Sequence, residues 1–167
     1  ERDRSHPCVL MWSLANESDW GRNFQAEYDY ARAVDPSRPT IFSYPNTQPD
    51  GTDAYQIWSV HYARWYGDPG QQTDSGSSAG PGTYNAPVLH DEYIHIPCYD
   101  VAEQRRDPAI REFWGESIKR WWEKILVTQG ALGGAIWGGI DDVMITPKGY
   151  TYAREWGIID GGRRQKP

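Results

Sequence analysis

The chain has 167 residues, about the length of one domain, and carries 17 basic and 23 acidic side chains for a formal charge of -6. An acidic chain without a basic run is not expected to bind nucleic acid. No apolar run approaches the roughly 18 residues that cross a bilayer. The mean hydropathy is also negative, so a membrane span is not expected.

The aromatic composition is unusual, with 9 Trp and 11 Tyr beside only 3 Phe. These two side chains combine an apolar face with a polar edge, which suits surfaces that stack on sugars or line a wet cleft. Cys8 and Cys98 are too few for a disulfide scaffold and lack metal-ligand spacing. No signal segment is evident near Glu1, and the cellular compartment stays open.

The first half of the chain predicts a strand, a helix and two further strands. Residues 8–14 are nearly continuous in apolar side chains, a pattern typical of a strand buried on both faces of a parallel sheet. A helix is predicted next, because apolar side chains recur at helical spacing until Asp35 and Pro36 end the pattern. These side chains are Trp20, Phe24, Tyr28 and Ala31. Residues 39–44 and 55–62 are rich in aromatic and β-branched side chains, which favours strands.

The second half predicts a loop, a strand, a helix and a last strand. Residues 67–82 are rich in Gly, Ser, Gln and Pro and indicate a loop, and residues 86–93 indicate a strand. Asp107 and Pro108 are typical of a helix start. Gly130 is expected to end this helix. The Trp residues on its apolar face are expected in the core. That face comprises Ile110, Phe113, Trp114, Ile118, Trp121, Trp122 and Ile125.

A Gly-rich strand at 133–140 completes an α/β order. The connections at 45–54 and 63–85 are the weak points of this interpretation. The first is short for a parallel crossover, and the second shows no helical period.

Two carboxylates lie at the carboxyl ends of predicted strands, where α/β barrels and open sheets place their active sites. Glu17 ends the run at 9–17, and Glu92 ends the run at 87–92. Because successive strand residues point to opposite faces, only one of Asp91 and Glu92 is expected to face a site. Taken singly, each acid can equally be structural, Glu17 by complementing a helix dipole and Glu92 as a solvated acid.

In combination, these segments resemble family 2 glycoside hydrolases, the β-galactosidase and β-glucuronidase group. Residues 6–18 resemble the acid/base strand of that family, and residues 87–95 resemble its nucleophile strand. Further similar segments, in the family's order, are the helix-to-strand link at 34–39, the last barrel strand at 133–142, and the exit at 156–160 followed by Arg163, Arg164 and Pro167.

The fold that this resemblance implies is a partial (β/α)8 TIM barrel, about strands 4 to 8. Residues 1–167 would be the C-terminal portion of a catalytic barrel, with strands 1–3 and accessory domains upstream. The implied activity is that of a retaining, exo-acting β-glycoside hydrolase, β-galactosidase-like, which works by double displacement through a glycosyl-enzyme. Alternatives are a β-glucuronidase, another β-glycosidase of the same family, or a non-catalytic carbohydrate-binding fragment.

The resemblance also implies roles for individual residues. Glu17 would be the general acid/base, with a raised pKa, and hydrogen bonds from Tyr62 and other donors would keep the nucleophile Glu92 ionised. Asn16 would bind the sugar 2-hydroxyl. The remaining substrate-binding residues would be His61, Tyr62, His95 and Trp137, although a lone histidine is more often a hydrogen-bonded structural group.

Two departures from the better-known β-galactosidases leave the preferred sugar open. These are His90 with Asp91 before the nucleophile, and Gly138 with Gly139 after Trp137. No cofactor is assigned, since some family members hold Mg²⁺ near the acid/base but the ligands would lie before residue 1. The expected partner is a carbohydrate, with neither nucleic acid nor membrane, and the full-length enzyme is a possible homo-oligomer.

Overall fold

A computed structural model describes residues 1–43, 56–62, 86–93, 105–149, 151–155 and 157–166. The predicted loop at 67–82, both connections at 45–54 and 63–85, His95 and Cys98 lie outside the described residues.

Strands and helices follow one another in the α/β order that the sequence predicts. The elements are β1 (Trp12–Asn16), α1 (Arg22–Val34), β2 (Thr40–Ser43), β3 (Trp58–His61), β4 (Val88–Tyr93), α2 (Pro108–Val127) and β5 (Ala131–Ile136), followed by β6 (Asp142–Ile145) and β7 (Thr151–Arg154). No helix within these described ranges is long and apolar enough to cross a membrane.

The strands β1 to β5 are parallel and lie side by side in chain order. β1 pairs with β2, and β4 pairs with both β3 and β5. A parallel bridge between Ile41 and Ile57 joins the two groups. Their carboxyl ends therefore share one edge, the arrangement that brings strand-end side chains together in α/β proteins.

The first and the last of the predicted strands differ in extent from those observed. β1 begins at Trp12 rather than at residue 8, and Leu10 is 72% exposed, so the apolar run does not mark a doubly buried strand. Arg38 donates from Nε to the Val9 carbonyl at 2.7 Å, which holds this segment outside the ladder. The last parallel strand ends at Ile136, and the antiparallel hairpin of β6 and β7 that follows was not predicted.

The first helix ends where the sequence predicts, and Asp35 binds its end to the sheet. The Asp35 carboxylate accepts hydrogen bonds from Trp12 Nε1 at 3.0 Å and from Arg38 Nη1 at 2.5 Å. The hydrogen bond from Ser37, with those from Arg38 and Trp12, outweighs desolvation and lowers the pKa of Asp35 well below its usual range. Phe24 of α1 packs edge-on against Phe42 of β2, with ring centroids 5.1 Å apart.

The second helix supplies half of the buried apolar core that it forms with β3 and β4. The predicted N-cap is confirmed, because the Asp107 side chain accepts a hydrogen bond from the Ala109 N–H at 3.0 Å. The buried core comprises Val60, Val88, Tyr93, Trp114, Trp121 and Ile125. The prediction that Trp122 is core is wrong, since it is 40% exposed. Successive helical residues are separated by about 100°, so Trp122 lies to the side of the face that buries Trp121 and reaches only the edge of β5 near Gly133.

Candidate active site

The site lies at the shared carboxyl edge of the parallel strands. Backbone hydrogen bonds align the ends of neighbouring strands. Glu17 N donates to the Ser43 carbonyl and Tyr62 N donates to the Glu92 carbonyl, each at 2.9 Å. Trp137 directly follows β5, and its N–H donates to the Tyr93 carbonyl at 3.0 Å. Residues that are far apart in sequence therefore reach one level of the sheet.

The imidazole of His61 connects the two predicted catalytic carboxylates. His61 Nδ1 lies 2.9 Å from Glu17 Oε1 and 3.4 Å from Glu92 Oε2. The His61 side chain is 1% exposed, that of Glu92 14% and that of Glu17 49%. The acid/base candidate is thus the carboxylate most open to solvent, and the nucleophile candidate is largely enclosed.

Asp91 belongs to the same cluster, which the sequence did not predict. Asp91 Oδ1 lies 3.6 Å from His61 Nε2, and the carboxylate accepts hydrogen bonds from the hydroxyls of Ser43 and Ser59, each at 2.6 Å. The expectation that Asp91 points away from the site of Glu92 is wrong. The pairing register shifts between Ser59 and His61, and the imidazole reaches Glu92 with one nitrogen and Asp91 with the other.

Tyr62 completes the arrangement, because its hydroxyl donates a hydrogen bond to Glu92 Oε1. Tyr62 and Glu17 both have positive φ angles, 46° and 43°. A left-handed backbone at a residue other than glycine costs on the order of 1 kcal/mol and is concentrated at functional sites. Both residues turn the chain sharply where a strand ends, which brings their side chains towards the cluster.

Burial and charge move the pKa values of these groups in different directions. Burial raises the pKa of Glu92 above its ordinary value, and the hydrogen bond from Tyr62 and the charge of His61 offset this only in part. The hydrogen bond from Tyr62 thus lowers the pKa of Glu92 as expected, but burial outweighs it, so the net shift is upward rather than downward. Burial also raises the pKa of Asp91, but hydrogen bonds from His61, Ser43 and Ser59 outweigh it and leave that pKa lowered.

The pKa values of the two described histidines on β3 and β4, His61 and His90, shift in opposite directions. Burial lowers the pKa of His61, yet the hydrogen bond and charge of Asp91, together with Glu17 and Glu92, raise it overall above the ordinary value. Burial lowers the pKa of His90 to about 4, and the charge of Asp91 offsets little of that. His90 is accordingly neutral at pH 7, whereas the charged form of His61 is more favoured than that of a free imidazole.

The structure places the remaining predicted residues as follows. Asn16 is the last residue of β1, is exposed, and lies in register with Ser43 of β2. Trp137 is half-buried beside the end of β4. Neither Ser43 nor Ser59 was identified from the sequence as a site residue. The position of Ser43 at the carboxyl end of a predicted strand was a signal that could have identified it.

The cluster has one combination of atoms that a metal ion could share. One ligand atom from each of Glu17, His61 and Glu92 lies within 4.8 Å of the others. The hydrogen bond of His61 Nδ1 with Glu17 and its ion-pair contact with Glu92 account for this closeness, so the geometry by itself does not call for a cation. No metal is assigned to these residues.

Comparison with known proteins places this strand-end geometry in a family. The model of the TIM barrel domain of glycosyl hydrolases family 2 matches residues 1–167. The chain belongs to glycoside hydrolase family 2. The resemblance seen in the sequence is thereby confirmed, and the α/β arrangement is part of a TIM barrel domain.

Curated relatives of this family 2 chain include two β-galactosidases. That of Lactococcus lactis subsp. lactis is 31% identical over 163 residues, covering 93% of this chain and 14% of the relative. That of Leuconostoc mesenteroides is 27% identical over 173 residues, covering 98% of this chain and 15% of the relative. The chain therefore spans about one seventh of the length of the curated relatives it matches.

Solved structures share the fold at lower identity. A β-galacturonidase of family 2 from Eisenbergiella tayi has a TM-score of 0.66 at 20% identity, covering 99% of this chain and 32% of that one. A β-D-glucuronidase from Dictyoglomus thermophilum has a TM-score of 0.61 at 21% identity, covering 98% of this chain and 31% of that one.

Proposed function

We propose that the protein containing this chain is a retaining, exo-acting β-glycosidase in which Glu17 is the general acid/base and Glu92 is the nucleophile. Glu17 would protonate the leaving oxygen while Glu92 attacks the anomeric carbon and forms a glycosyl-enzyme. Glu17 would then remove a proton from water, which hydrolyses that intermediate. Family 2 membership supports hydrolysis of a carbohydrate, and the cluster supports this division of roles.

The separation of the two carboxylates carries the proposal. One carboxylate oxygen of Glu17 and one of Glu92 lie within 4.8 Å of each other. Retaining glycosidases hold their two carboxyl groups about 5 to 5.5 Å apart, whereas inverting enzymes separate them by about 6.5 to 9.5 Å to admit a water molecule. The short separation favours direct attack by Glu92 over attack by water.

The environments of the two groups fit the same assignment. Glu92 is largely enclosed and receives the hydroxyl hydrogen bond of Tyr62, so its carboxylate is held in place. Glu17 is about half exposed, which suits a group that must meet the leaving group and later a water molecule.

The names of the curated relatives favour a β-galactoside as the substrate. We also infer that β1 to β5 are strands 4 to 8 of the barrel, with Asn16 binding the sugar 2-hydroxyl.

A panel of nitrophenyl β-glycosides tests the proposal on the full-length protein. The galactoside is expected to be hydrolysed fastest, ahead of the glucuronide, glucoside and mannoside, with retention of anomeric configuration by proton NMR. Glu92→Gly is expected to abolish turnover of every substrate, because no nucleophile is left. Glu17→Ala is expected to lose about 10² to 10⁴-fold in rate on poor leaving groups and far less on good ones, since only the former need a proton.

A matched control separates these effects from the simple loss of a carboxylate. Glu116 lies on the exposed face of α2, where it pairs with Arg120 at 2.8 Å, and Glu116→Ala is expected to retain full activity. Added azide is expected to restore turnover in the Glu17 variant by attacking the glycosyl-enzyme without base assistance. An inverted product, or equal losses on all substrates in both site variants, would contradict the assignment.

A further inference from the structure

His61 lies at the centre of the cluster and contacts it with both ring nitrogens. At Nδ1 it faces Glu17 at 2.9 Å and Glu92 at 3.4 Å. At Nε2 it faces the Ser43 hydroxyl at 2.9 Å and Asp91 at 3.6 Å. An imidazole enclosed in this way cannot change its protonation without changing one of these contacts.

The hydroxyl of Ser43 determines which atom of the imidazole keeps its proton. Ser43 has one hydroxyl proton, which it donates to Asp91 Oδ2 at 2.6 Å. Its oxygen can therefore only accept at the 2.9 Å contact with His61 Nε2, so Nε2 carries a proton. The nitrogen that gains and loses a proton is then Nδ1, the one that faces Glu17 and Glu92.

The contact between His61 Nδ1 and Glu17 Oε1 needs a single proton, placed on either atom. If that proton were on Glu17, the lone pair of Nδ1 would face the Glu92 carboxylate at 3.4 Å, which is repulsive. A proton on Nδ1 attracts both carboxylates at once. Hydrogen bonding and charge therefore favour the imidazolium form of His61 while Glu17 is in contact with water.

We propose that Glu17 and His61 share a mobile proton, which rests on His61 Nδ1 between turnovers and moves to Glu17 Oε1 when a glycoside binds. The transfer to Glu17 on glycoside binding rests on the proposed function, whereas the position of the proton in the free protein does not. In the transfer, the Nδ1–H bond breaks, its electron pair stays on Nδ1, and an O–H bond forms on Glu17. The products are a neutral carboxylic acid and a neutral imidazole with its proton on Nε2.

Desolvation supplies the reason for the transfer. A bound sugar excludes water from the half-exposed Glu17, and a neutral pair is then favoured over an ion pair, because removal from water penalises charged forms. Glu17 becomes an acid only when a glycosidic oxygen is there to receive the proton. After water has attacked the glycosyl-enzyme, the proton taken up by Glu17 returns to Nδ1 and the free site is restored.

The other groups around the ring act in the same direction. Asp91 from β4 is ionised, because its hydrogen bonds lower its pKa, and its charge favours the imidazolium. Tyr62 presents its ring at 5.9 Å and stays protonated, since burial and Glu92 raise its pKa. His61 is thus a positioning residue that acts through Glu17 and holds two like charges together.

The pH dependence of kcat/KM in the full-length protein tests the shared proton. The basic limb reports loss of the last proton of the free site. Gln has a volume similar to that of His but cannot hold a proton at pH 7, so His61→Gln is expected to lower this limb by about one pH unit or more. Ser43→Ala, which removes the hydroxyl that fixes Nε2–H, is expected to shift the limb in the same direction by less.

A matched control removes a buried hydroxyl elsewhere. Ser117 on α2 is fully buried, and its hydroxyl has no hydrogen-bond partner among the described residues, so Ser117→Ala is expected to leave the limb in place. A limb that stays within experimental error in both His61→Gln and Ser43→Ala would overturn the inference. Absence of any glycosidase activity in the unmodified protein would instead contradict the proposed function.

A measurement independent of turnover locates the proton directly. With ¹⁵N-labelled histidine, assigned by comparison with His61→Gln, both nitrogens of His61 are expected to be protonated in the free protein near pH 6. Saturating methyl 1-thio-β-galactoside is expected to remove the proton from Nδ1 and leave Nε2 protonated. A neutral ring in the free protein, or loss of the Nε2 proton instead, would contradict the proposal, whether or not any glycoside is hydrolysed.

Discussion

Replacing Tyr62 by phenylalanine removes one hydroxyl from the site and leaves an aromatic ring in its place. That hydroxyl donates to Glu92 Oε1, and it opposes the rise in the pKa of Glu92 that burial causes. Without it, the ionised form of Glu92 loses a stabilising contact that its protonated form needs much less. The pKa of Glu92 should therefore rise further above its ordinary value in Tyr62→Phe.

The size of this effect follows from the strength of the lost hydrogen bond. A hydrogen bond to a charged group contributes about 1.5 to 3 kcal/mol, and about 1.36 kcal/mol corresponds to one pKa unit. Water reaches the partly exposed carboxylate and replaces part of the loss, so we expect a rise of about one unit. Glu92 must be ionised to attack, so a higher pKa moves the acidic limb of kcat/KM to higher pH by about one unit.

The assay should use a dinitrophenyl β-glycoside, whose departure needs no proton from Glu17, so that the acidic limb reports Glu92 alone. A matched control is Tyr28→Phe, which removes a hydroxyl that accepts a hydrogen bond from Gln56 Nε2 at 3.2 Å and contacts no residue of the cluster in that bond. An acidic limb that stays in place or moves to lower pH in Tyr62→Phe would refute the reasoning. A uniform loss of rate without movement of the limb would do so too, because it would show that Tyr62 does not act through ionisation of Glu92.

Three further predictions concern stability and can be checked by urea unfolding of the full-length protein, followed by tryptophan fluorescence. Lys166→Met is expected to cost about 3 kcal/mol, because it leaves the buried Asp141 carboxylate without the ammonium that binds it at 2.6 Å, and an unchanged midpoint would contradict this. Gly134→Ala is expected to cost about 1 to 3 kcal/mol, since its Cβ would lie 2.8 Å from the His90 carbonyl. Gly115→Ala, in the interior of α2 with nothing within 4 Å of the new Cβ, is expected instead to stabilise by about 0.5 to 1 kcal/mol, and a loss there would show hidden strain.

Local signals in the sequence were sufficient for the framework of the molecule. The cap at Asp107, the helix that ends before Asp35 and the strand that carries Glu92 near its end each depend on residues within a few positions of one another. The hairpin after β5 had its own local signal, Pro147 followed two residues later by Gly149, whose φ of 80° permits the turn. The Gly-rich pattern at residues 133–140 instead predicted a last strand, with no hairpin after it.

The sequence by itself determined the order of parallel strands, the two acids at their carboxyl ends and the family resemblance that the family model confirms. Only the tertiary structure decided that Glu17, Ser43, His61 and Asp91 form one cluster. These residues come from four different strand ends, and no periodicity along the chain encodes how closely neighbouring strands bring their ends together. The protonation of His61 depends on that packing, because a charge is set by the groups that surround it in space rather than by those beside it in the chain.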